Sequence, residues 1–236
     1  MRFNGYDLSG LLVVEEIRRQ LVPTVDNVLV RRPGKDGAEH VRTTYGTRLT
    51  EVDIRLIERD RDALQQAIRS LAGRLYTRGP ARLDLHDDPD KYEMAVLDGA
   101  VDVDKLLYTG GATLVFVSPE PASYSNHVQT VEIGPGYIRN VGTYPATGTI
   151  TVTMDEPVAS LRVTQLETGD MVHIDHALVE NDVVVIDLGA ESVAKNGASI
   201  MKDVSLSSDF FEIPTGKFKI TVTAGVAVLR YRARWI

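Results

Sequence analysis

Short segments of alternating polar and apolar residues run through most of the chain, separated by turns rich in Gly, Pro, Asn and Asp. The segment from Thr50 to Ile57 follows this pattern, so one face of the predicted strand packs against a core and the other faces water or a partner. The first half contains four further predicted strands, at 8–17, 81–85, 92–97 and 112–117. The stretch 8–17 is also compatible with a helical turn, although the strand is the favoured interpretation.

One segment has instead the periodicity of an amphipathic helix. Its apolar side chains recur every three or four residues, at Leu64, Ala67, Ile68, Leu71 and Leu75. Asp60 precedes them and is predicted to cap the helix, because its carboxylate can accept hydrogen bonds from the free N–H groups of the first turn. Gly73 is predicted to end or bend the helix. The first half is therefore expected to be a β-sheet assembly that carries one helix.

A long β-hairpin is predicted just before the alternating strand. The segments 25–31 and 40–45 are strand-like, and the run 32–37 between them has the Pro, Gly and Asp content of a polar turn. Its length predicts a projecting arm. Lys35 and Asp36 at the tip of this arm are candidate interface residues.

The composition changes at residues 118–126. Pro119 and Pro121 restrict the backbone there and remove donors that a sheet would need, so this segment is predicted to be a linker. We therefore predict two domains, residues 1–125 and residues 126–236.

Beyond the linker, the sequence predicts strands and no helix. The predicted strands are at 146–154, 160–166, 171–174, 183–188, 218–224 and 227–235. Short strands at such intervals, with turns at Asn196-Gly197 and Thr215-Gly216, are typical of a β-sandwich. The predicted fold class is mainly β, with one helix in the first domain.

The composition excludes several kinds of chemistry. The 236 residues contain no cysteine, so disulfides, thiolate zinc sites and thiol nucleophiles are absent. With 26 Lys and Arg against 33 Asp and Glu, the net charge is -7, and no basic tract is present to neutralise phosphates. We expect no nucleic-acid binding. No apolar stretch is long enough to span a membrane, and the first residues lack the apolar core of a signal peptide. A soluble protein made in the cytoplasm is expected.

Candidate metal and catalytic groups are present only as isolated types. On a strand, His173 and Asp175 would share a face while His176 points away, and a polar strand that ends in water is favoured over a metal site. The oxygen-rich run 86–90 lacks the spacing of an EF-hand loop, so a solvated turn is favoured over a calcium site.

Enzyme signatures are equally weak. Asp155 and Glu156 are neighbours whose side chains point apart on a strand, unlike the carboxylate pair of a glycosidase. The sequence has no Gly-x-Ser-x-Gly elbow and no phosphate-binding loop. We predict no catalytic, metal-binding or cofactor-binding residues, no cofactor and no enzymatic activity.

The last residues form an unusual basic and aromatic run. Alternation would place Leu229, Tyr231, Ala233 and Trp235 on one face of a strand. Arg230, Arg232 and Arg234 would then lie on the other face. Three interpretations are open: a final strand with a packed and a wet face, a protein interface formed by the arginines, or a carbohydrate platform. Arginine and aromatic residues are enriched where proteins dock. In the carbohydrate interpretation, Trp235 or Tyr144 would stack on a sugar.

Several segments in a fixed order form a combined signature. They are 3–8, 116–121, 140–150, 183–187, 195–197, 209–214 with Gly216, and 231–235. In this order and spacing, together with the hairpin and the alternating strand that precede the helix, the chain resembles the distal tail proteins (Dit) of long, flexible-tailed bacteriophages or prophages. The resemblance covers nearly the whole length.

The resemblance implies a tail-tube-like N-terminal β-sandwich or split barrel that closes into a homohexameric ring, and a C-terminal galectin-like β-sandwich outside it. It also implies a virion protein that joins the tail tube protein to the tail hub of the tip or baseplate and anchors receptor-binding proteins. The second domain has no room for an inserted carbohydrate-binding module. A β-sandwich that binds sugars on the host surface is the alternative function.

Overall fold

The computed structural model describes residues 1–58, 60–101 and 103–236, without the side chains of residues 103–105. The chain forms two compact units. The first contains Met1–Tyr124 and Ile236, and the second contains Ser125–Trp235. The strand-rich pattern of the sequence is present in both units, so the mainly β prediction is confirmed.

Ten strands account for most of the regular structure up to residue 125. They are β1 Arg2–Phe3, β2 Tyr6–Asp7, β3 Leu12–Arg19, β4 Val25–Val30, β5 Glu39–Tyr45, β6 Arg48–Leu56, β7 Ala81–Asp84, β8 Lys91–Asp98, β9 Gly111–Ser118 and β10 Ser123–Ser125. Seven of them follow one another in the antiparallel order β2-β1-β7-β8-β9-β6-β3. The pair β4–β5 forms a sheet of its own.

Strand β6 lies inside this sheet, between β3 and β9. Its residues Thr50, Val52, Ile54 and Leu56 are buried, and the residues between them are more exposed. The predicted alternation is therefore confirmed. The apolar side chains among them, Val52, Ile54 and Leu56, join a core that also contains Phe3 at 0% exposure.

The predicted helix is present as α1, Arg61–Leu75. Asp60 caps it, because its carboxylate accepts hydrogen bonds from the N–H groups of Asp62 and Ala63 at 3.2 Å. Gly73 does not end the helix, which continues to Leu75 because the apolar repeat still has a core to pack against. A second helix, α2 at Val103–Thr109, was not predicted.

Two further expectations for the first half need correction. The segment 8–17 is not one strand, because the N–H groups of Leu11 and Leu12 both bond to the Leu8 carbonyl and form a turn before β3 begins. The predicted linker 118–126 is not a free segment. It contains strand β10, and the side chains of Ser118 and Ala122 are buried.

The second unit is built from short strands. They are β11 Gln129–Ile133, β12 Ile138–Asn140, β13 Gly148–Thr153, β14 Leu161–Gln165, β15 Met171–Ile174, β16 Val183–Asp187, β17 Ser192–Lys195, β18 Ala198–Ser199, β19 Gly216–Phe218, β20 Ile220–Val222, β21 Val226–Tyr231 and β22 Arg234–Trp235. One turn of 3₁₀ helix covers Met201–Asp203.

All of these strands except β22 form three sheets around one apolar core. The largest has the order β11-β21-β13-β16-β17-β18, and smaller sheets contain β15-β14-β20 and β12-β19. Two predicted strands are interrupted: 218–224 overlaps both β19 and β20, and 227–235 divides into β21 and β22. Within the part of the chain that the structure describes, no helix is both long and apolar enough to cross a membrane.

Candidate assembly surfaces

The pair β4–β5, with the turn between its strands, forms an arm of residues 25–45. Its two strands pair only with each other, in a register that places Val25 opposite Tyr45 and Leu29 opposite His40. The predicted hairpin is thus confirmed. A bulge near Val41 shifts the register once, because that residue has no partner in the ladder.

The arm exposes apolar side chains that the rest of its unit does not cover. Val25, Leu29, Val41 and Tyr45 are 45%, 58%, 59% and 45% exposed. One face carries Val25 and Leu29 with polar Asn27 between them, and the side-chain amide oxygen of Asn27 accepts a 2.7 Å hydrogen bond from the Thr43 hydroxyl. A two-stranded hairpin is at best marginally stable alone in water. An apolar, uncovered arm is therefore a candidate contact surface.

The tip of the arm is polar and holds its own ion pairs. Glu39 accepts from Arg32 at 2.7 Å and from Lys35 at 3.3 Å. Asp36 lies in the same exposed turn. Lys35 and Asp36 are thus on the surface, as an interface residue must be. Exposed pairs of this kind contribute about 0–1 kcal/mol to subunit stability, so we expect the tip to contribute little to the fold.

A second candidate surface is the charged face of β3 and β6. It carries six charged side chains: Glu15, Glu16, Arg18, Glu51, Asp53 and Arg55. The Arg18 guanidinium donates to Asp53 at 2.6 Å and to Glu51 at 3.1 Å, and these carboxylates raise the pKa of Arg18 above its ordinary value. The sequence analysis missed this cluster, because its members come from two strands that are more than 30 residues apart in the chain.

An apolar cavity of about 330 Å³ lies beside the C-terminal half of α1. Its wall includes Ile68, Leu71, Leu75, Leu97 and Leu114. The helix periodicity predicted that all five apolar residues of α1 would face the core, and four of them are buried. Ile68 is only partly buried and also lines this cavity.

The basic run at the C-terminus differs from its predicted geometry. Strand β21 ends at Tyr231, so the alternation stops before the last arginines. Arg230 is exposed as predicted, and Arg232 donates to the carbonyl oxygens of Ser125 and Asn126 at 2.9 and 2.8 Å. The prediction that Arg234 lies on a wet face was wrong, because that residue is only 8% exposed.

Arg234 is held by a local cluster around Asn140. The guanidinium of Arg234 lies 5.0 Å from the centre of the Tyr144 ring. The backbone carbonyl of Arg234 accepts a hydrogen bond from the Tyr144 N–H at 3.1 Å. The Asn140 amide donates to the Pro214 carbonyl at 3.1 Å and accepts the Gly142 N–H at 3.0 Å. A Cβ atom at Gly142 would lie 2.4 Å from the Arg234 carbonyl oxygen. The Asn140-x-Gly142 motif therefore allows the C-terminal segment to pack closely against it.

This cluster bears on the carbohydrate interpretation. A sugar needs a free ring face, and the Arg234 guanidinium covers one face of Tyr144 through a cation–π contact. Trp235 is partly buried.

The candidate metal ligands His173, Asp175 and His176 do not form one group. His173 lies 3.1 Å from Asp175, and His176 pairs instead with Asp203 at 2.7 Å. Among the described residues, no group of three or more His, Cys, Asp or Glu side chains could hold a metal ion. Asp155 accepts a hydrogen bond from the Gly225 N–H at 3.1 Å, which is a role in a turn.

Comparison with known proteins accounts for both halves of the sequence. A family model described as a phage tail protein RIFT-related domain matches residues 6–118, and one described as the C-terminal domain of a siphovirus-type tail component matches residues 141–235. The distal tail protein of Bacillus phage SPP1 is 22% identical over 218 residues, which cover 90% of this chain and 86% of that protein.

Solved structures show the same fold. The crystal structure of the SPP1 Dit protein, titled a paradigm of the hub adsorption apparatus in phages that infect Gram-positive hosts, matches with a TM-score of 0.85 and 16% identity. It covers 99% of this chain and 98% of that one. A chain of the phage P2 baseplate, activated with calcium, matches with a TM-score of 0.53 and 10% identity over 97% of this chain and 92% of that one. The resemblance inferred from the sequence is confirmed: both matched domains are those of siphovirus-type tail proteins, and the chain is similar over nearly its whole length to a siphovirus distal tail protein.

Proposed function

We propose that this tail protein assembles into a hexameric ring that joins the tail tube to the hub of the tail tip or baseplate. In this proposal residues 1–125 form the ring, and residues 126–236 form a galectin-like sandwich outside it. The ring contacts the tail tube protein on one side and the tail hub protein on the other, and it anchors receptor-binding proteins. Its role is structural and involves no enzymatic turnover.

The observation that carries the proposal is the uncovered arm. Its strands make no ladder with any other described strand, and its apolar side chains are about half exposed. Covering such residues is favourable by roughly 25 cal/mol for each Å² of apolar surface removed from water. Because no described residue of its own unit covers the arm, a neighbouring copy of the chain is the occupant that a ring supplies on every subunit.

The edges of the main sheet support the same conclusion. The sheet ends in β3, which is eight residues long, and in β2, which has only two. Exposed edges invite pairing with other chains, and natural proteins blunt or cover them. A closed ring gives each subunit a neighbour on both sides.

The relatives supply the tail context. The SPP1 protein is described as part of a hub adsorption apparatus, and the P2 matches are baseplates. These descriptions support a position at the tail hub for the present chain.

A matched pair of arm variants tests the proposal. Replacing Leu29→Ser and Tyr45→Ser removes apolar groups from one face, and replacing Asp26→Ser and Thr44→Ser changes the opposite face at a directly paired position. We expect the first double variant to sediment as single subunits of 26.0 kDa and the second to retain the ring. Retention of the ring by the first variant would contradict an arm-mediated assembly. Circular dichroism checks that both variants remain folded.

Deletion of residues 33–38 tests the tip separately. The tip contributes little to a core but can reach an interface, so its deletion should weaken ring formation more than subunit stability. The measurements are the subunit concentration at half assembly and the midpoint of thermal unfolding. Unchanged assembly after the deletion would show that the tip has no part in the contact.

A further inference from the structure

The chain contains two Asn-Gly pairs, and the structure places both in the same kind of tight turn. Asn4 and Gly5 have φ values of 49° and 79° between β1 and β2. Asn196 and Gly197 have φ values of 49° and 83° between β17 and β18. Positive φ at both central residues is typical of the two-residue hairpin turn that favours Asn-Gly. The two turns thus form a matched pair within one molecule.

The asparagine side chains differ in their surroundings. The Asn196 oxygen accepts the Val183 N–H at 2.8 Å, and its amide nitrogen donates to an Asp182 carboxylate oxygen at 2.8 Å. Asn4 is exposed and makes no side-chain hydrogen bond to any residue that the structure describes. The amide carbon of Asn4 is therefore free to move, whereas that of Asn196 is fixed from both sides.

The backbone around Asn4 is also easier to open. The pairing of β1 with β2 consists of Arg2 opposite Asp7 and Phe3 opposite Tyr6. This pair lies at the N-terminus and at one end of the sheet, where local opening requires the least free energy. Beyond it, the Asn4 N–H bonds to the Arg82 carbonyl at 2.9 Å.

We propose that Asn4 is a site of spontaneous deamidation and that Asn196 is protected from the same reaction. In an opened turn the backbone nitrogen of Gly5 attacks the side-chain amide carbon of Asn4. A new C–N bond closes a five-membered succinimide, and the Gly5 N–H proton passes through water to the side-chain amide nitrogen. The bond to that nitrogen breaks, and the nitrogen leaves as ammonia. Water then opens the ring at either carbonyl and yields aspartate or isoaspartate. Water is the only co-reactant, and no electron is transferred.

Glycine makes the attack sterically accessible, because no side chain at position 5 shields its nitrogen. The reaction adds a negative charge to a chain whose net charge is already -7. Isoaspartate also adds a methylene to the backbone, which the two-residue turn cannot accept without loss of its register. The adjacent Phe3 is fully buried, with its ring centre 5.1 Å from that of Phe116. Deamidation therefore loosens β2 beside a core residue.

Incubation of the purified full-length protein at mildly alkaline pH and physiological temperature tests the proposal, with peptide mapping by mass spectrometry that resolves isoaspartate. We expect conversion at Asn4 to be about tenfold or more faster than at Asn196, because two hydrogen bonds must break before Asn196 can react. Equal rates at the two sites, or no conversion at Asn4, would overturn the proposal.

Two variants make the test specific. Asn4→Gly retains the positive φ of the turn and removes the reacting amide. Isoelectric focusing of this variant should therefore detect no added negative charge from position 4. Asp182→Ala removes one of the two bonds to the Asn196 side chain and should raise conversion at the second site severalfold. An unchanged rate at Asn196 in a folded Asp182→Ala protein would show that these bonds do not provide the protection.

Discussion

The arm and strand β6 belong to the same unit and are both predicted from sequence as strands, yet they differ in what covers them. Along β6, Ile54 is 1% exposed and belongs to the core, whereas Leu29 in the arm is 58% exposed. The comparison shows that the residue pattern predicts a strand but does not predict which residues, if any, pack against its apolar side chains. In the proposed ring a neighbouring copy of the chain supplies the cover that the arm lacks within the described part of its own unit.

The largest expected effect is a difference in the free energy of unfolding between two glutamate replacements, one in the core and one in the arm. Glu93 is buried and accepts hydrogen bonds from Thr50 on β6 and Ser118 on β9 at 3.1 and 3.2 Å, with the Arg19 guanidinium at 3.5 Å. Replacing Glu93→Ala leaves buried cationic and polar groups without their acceptor. We expect the free energy of unfolding to fall by about 3–5 kcal/mol.

Glu39→Ala in the arm is the matched control, because Glu39 also pairs with two cations but keeps 39% of its side chain exposed. We expect a loss of about 0–1 kcal/mol. Urea denaturation of both variants measures the difference. Similar losses would mean that the arm is as integral to the subunit as β6.

The second effect concerns apolar truncation. Ile54→Ala removes a fully buried side chain and should lower the free energy of unfolding by about 2–5 kcal/mol. Leu29→Ala should cost no more than about 0.5 kcal/mol for the isolated subunit, because its side chain is already in water. Chemical denaturation at concentrations below those needed for assembly gives both values. A large cost for Leu29→Ala would show that the arm is covered by its own subunit.

A smaller effect is expected at the start of α1. Asp60→Ala removes the acceptor for two N–H groups and should lower stability by about 1 kcal/mol, a value between those of the core and the arm. Asp60→Asn retains a capping oxygen and should recover most of the loss. Thermal unfolding of the three proteins decides whether the cap contributes as its geometry indicates.

The smallest effect is a change in the acid limb of stability. In the second unit the Val179 N–H and the Lys195 ammonium lower the pKa of Asp182 from 3.8 to about 2. A lowered pKa means that the ionised group stabilises the fold above pH 3.8 and that this contribution is lost as the pH falls through about 2. Asp182→Asn should be less stable near neutral pH and lose less stability on acidification. If Asp182→Asn left the pH dependence of the unfolding free energy unchanged, the Asp182 carboxylate would not have this role.

The sequence predicted those elements whose signal is local. Asp60 with the apolar repeat to Leu75 located α1, and the polar run 32–37 located the turn of the arm. Helix α2 was missed because seven residues contain too few turns for a periodicity to be recognised. These differences follow from how far each signal extends along the chain.

The candidate surfaces depend on contacts between distant parts of the chain, which local sequence patterns do not predict. The burial of Arg234 depends on Asn140, Gly142 and Tyr144, which lie about 90 residues earlier in the chain. Alternation within the last strand could not reveal these contacts. The exposure of Val41 and Leu29 likewise depends on the absence of a covering element in the described part of the unit. Only tertiary structure reports such facts.

Native mass spectrometry of the purified full-length protein at micromolar concentration and moderate salt, supported by negative-stain electron microscopy, tests the central claim most directly. The proposed assembly predicts a dominant species at six times the mass of one 26.0 kDa chain and ring-shaped particles in the images. A mass of a single chain with no rings would contradict it.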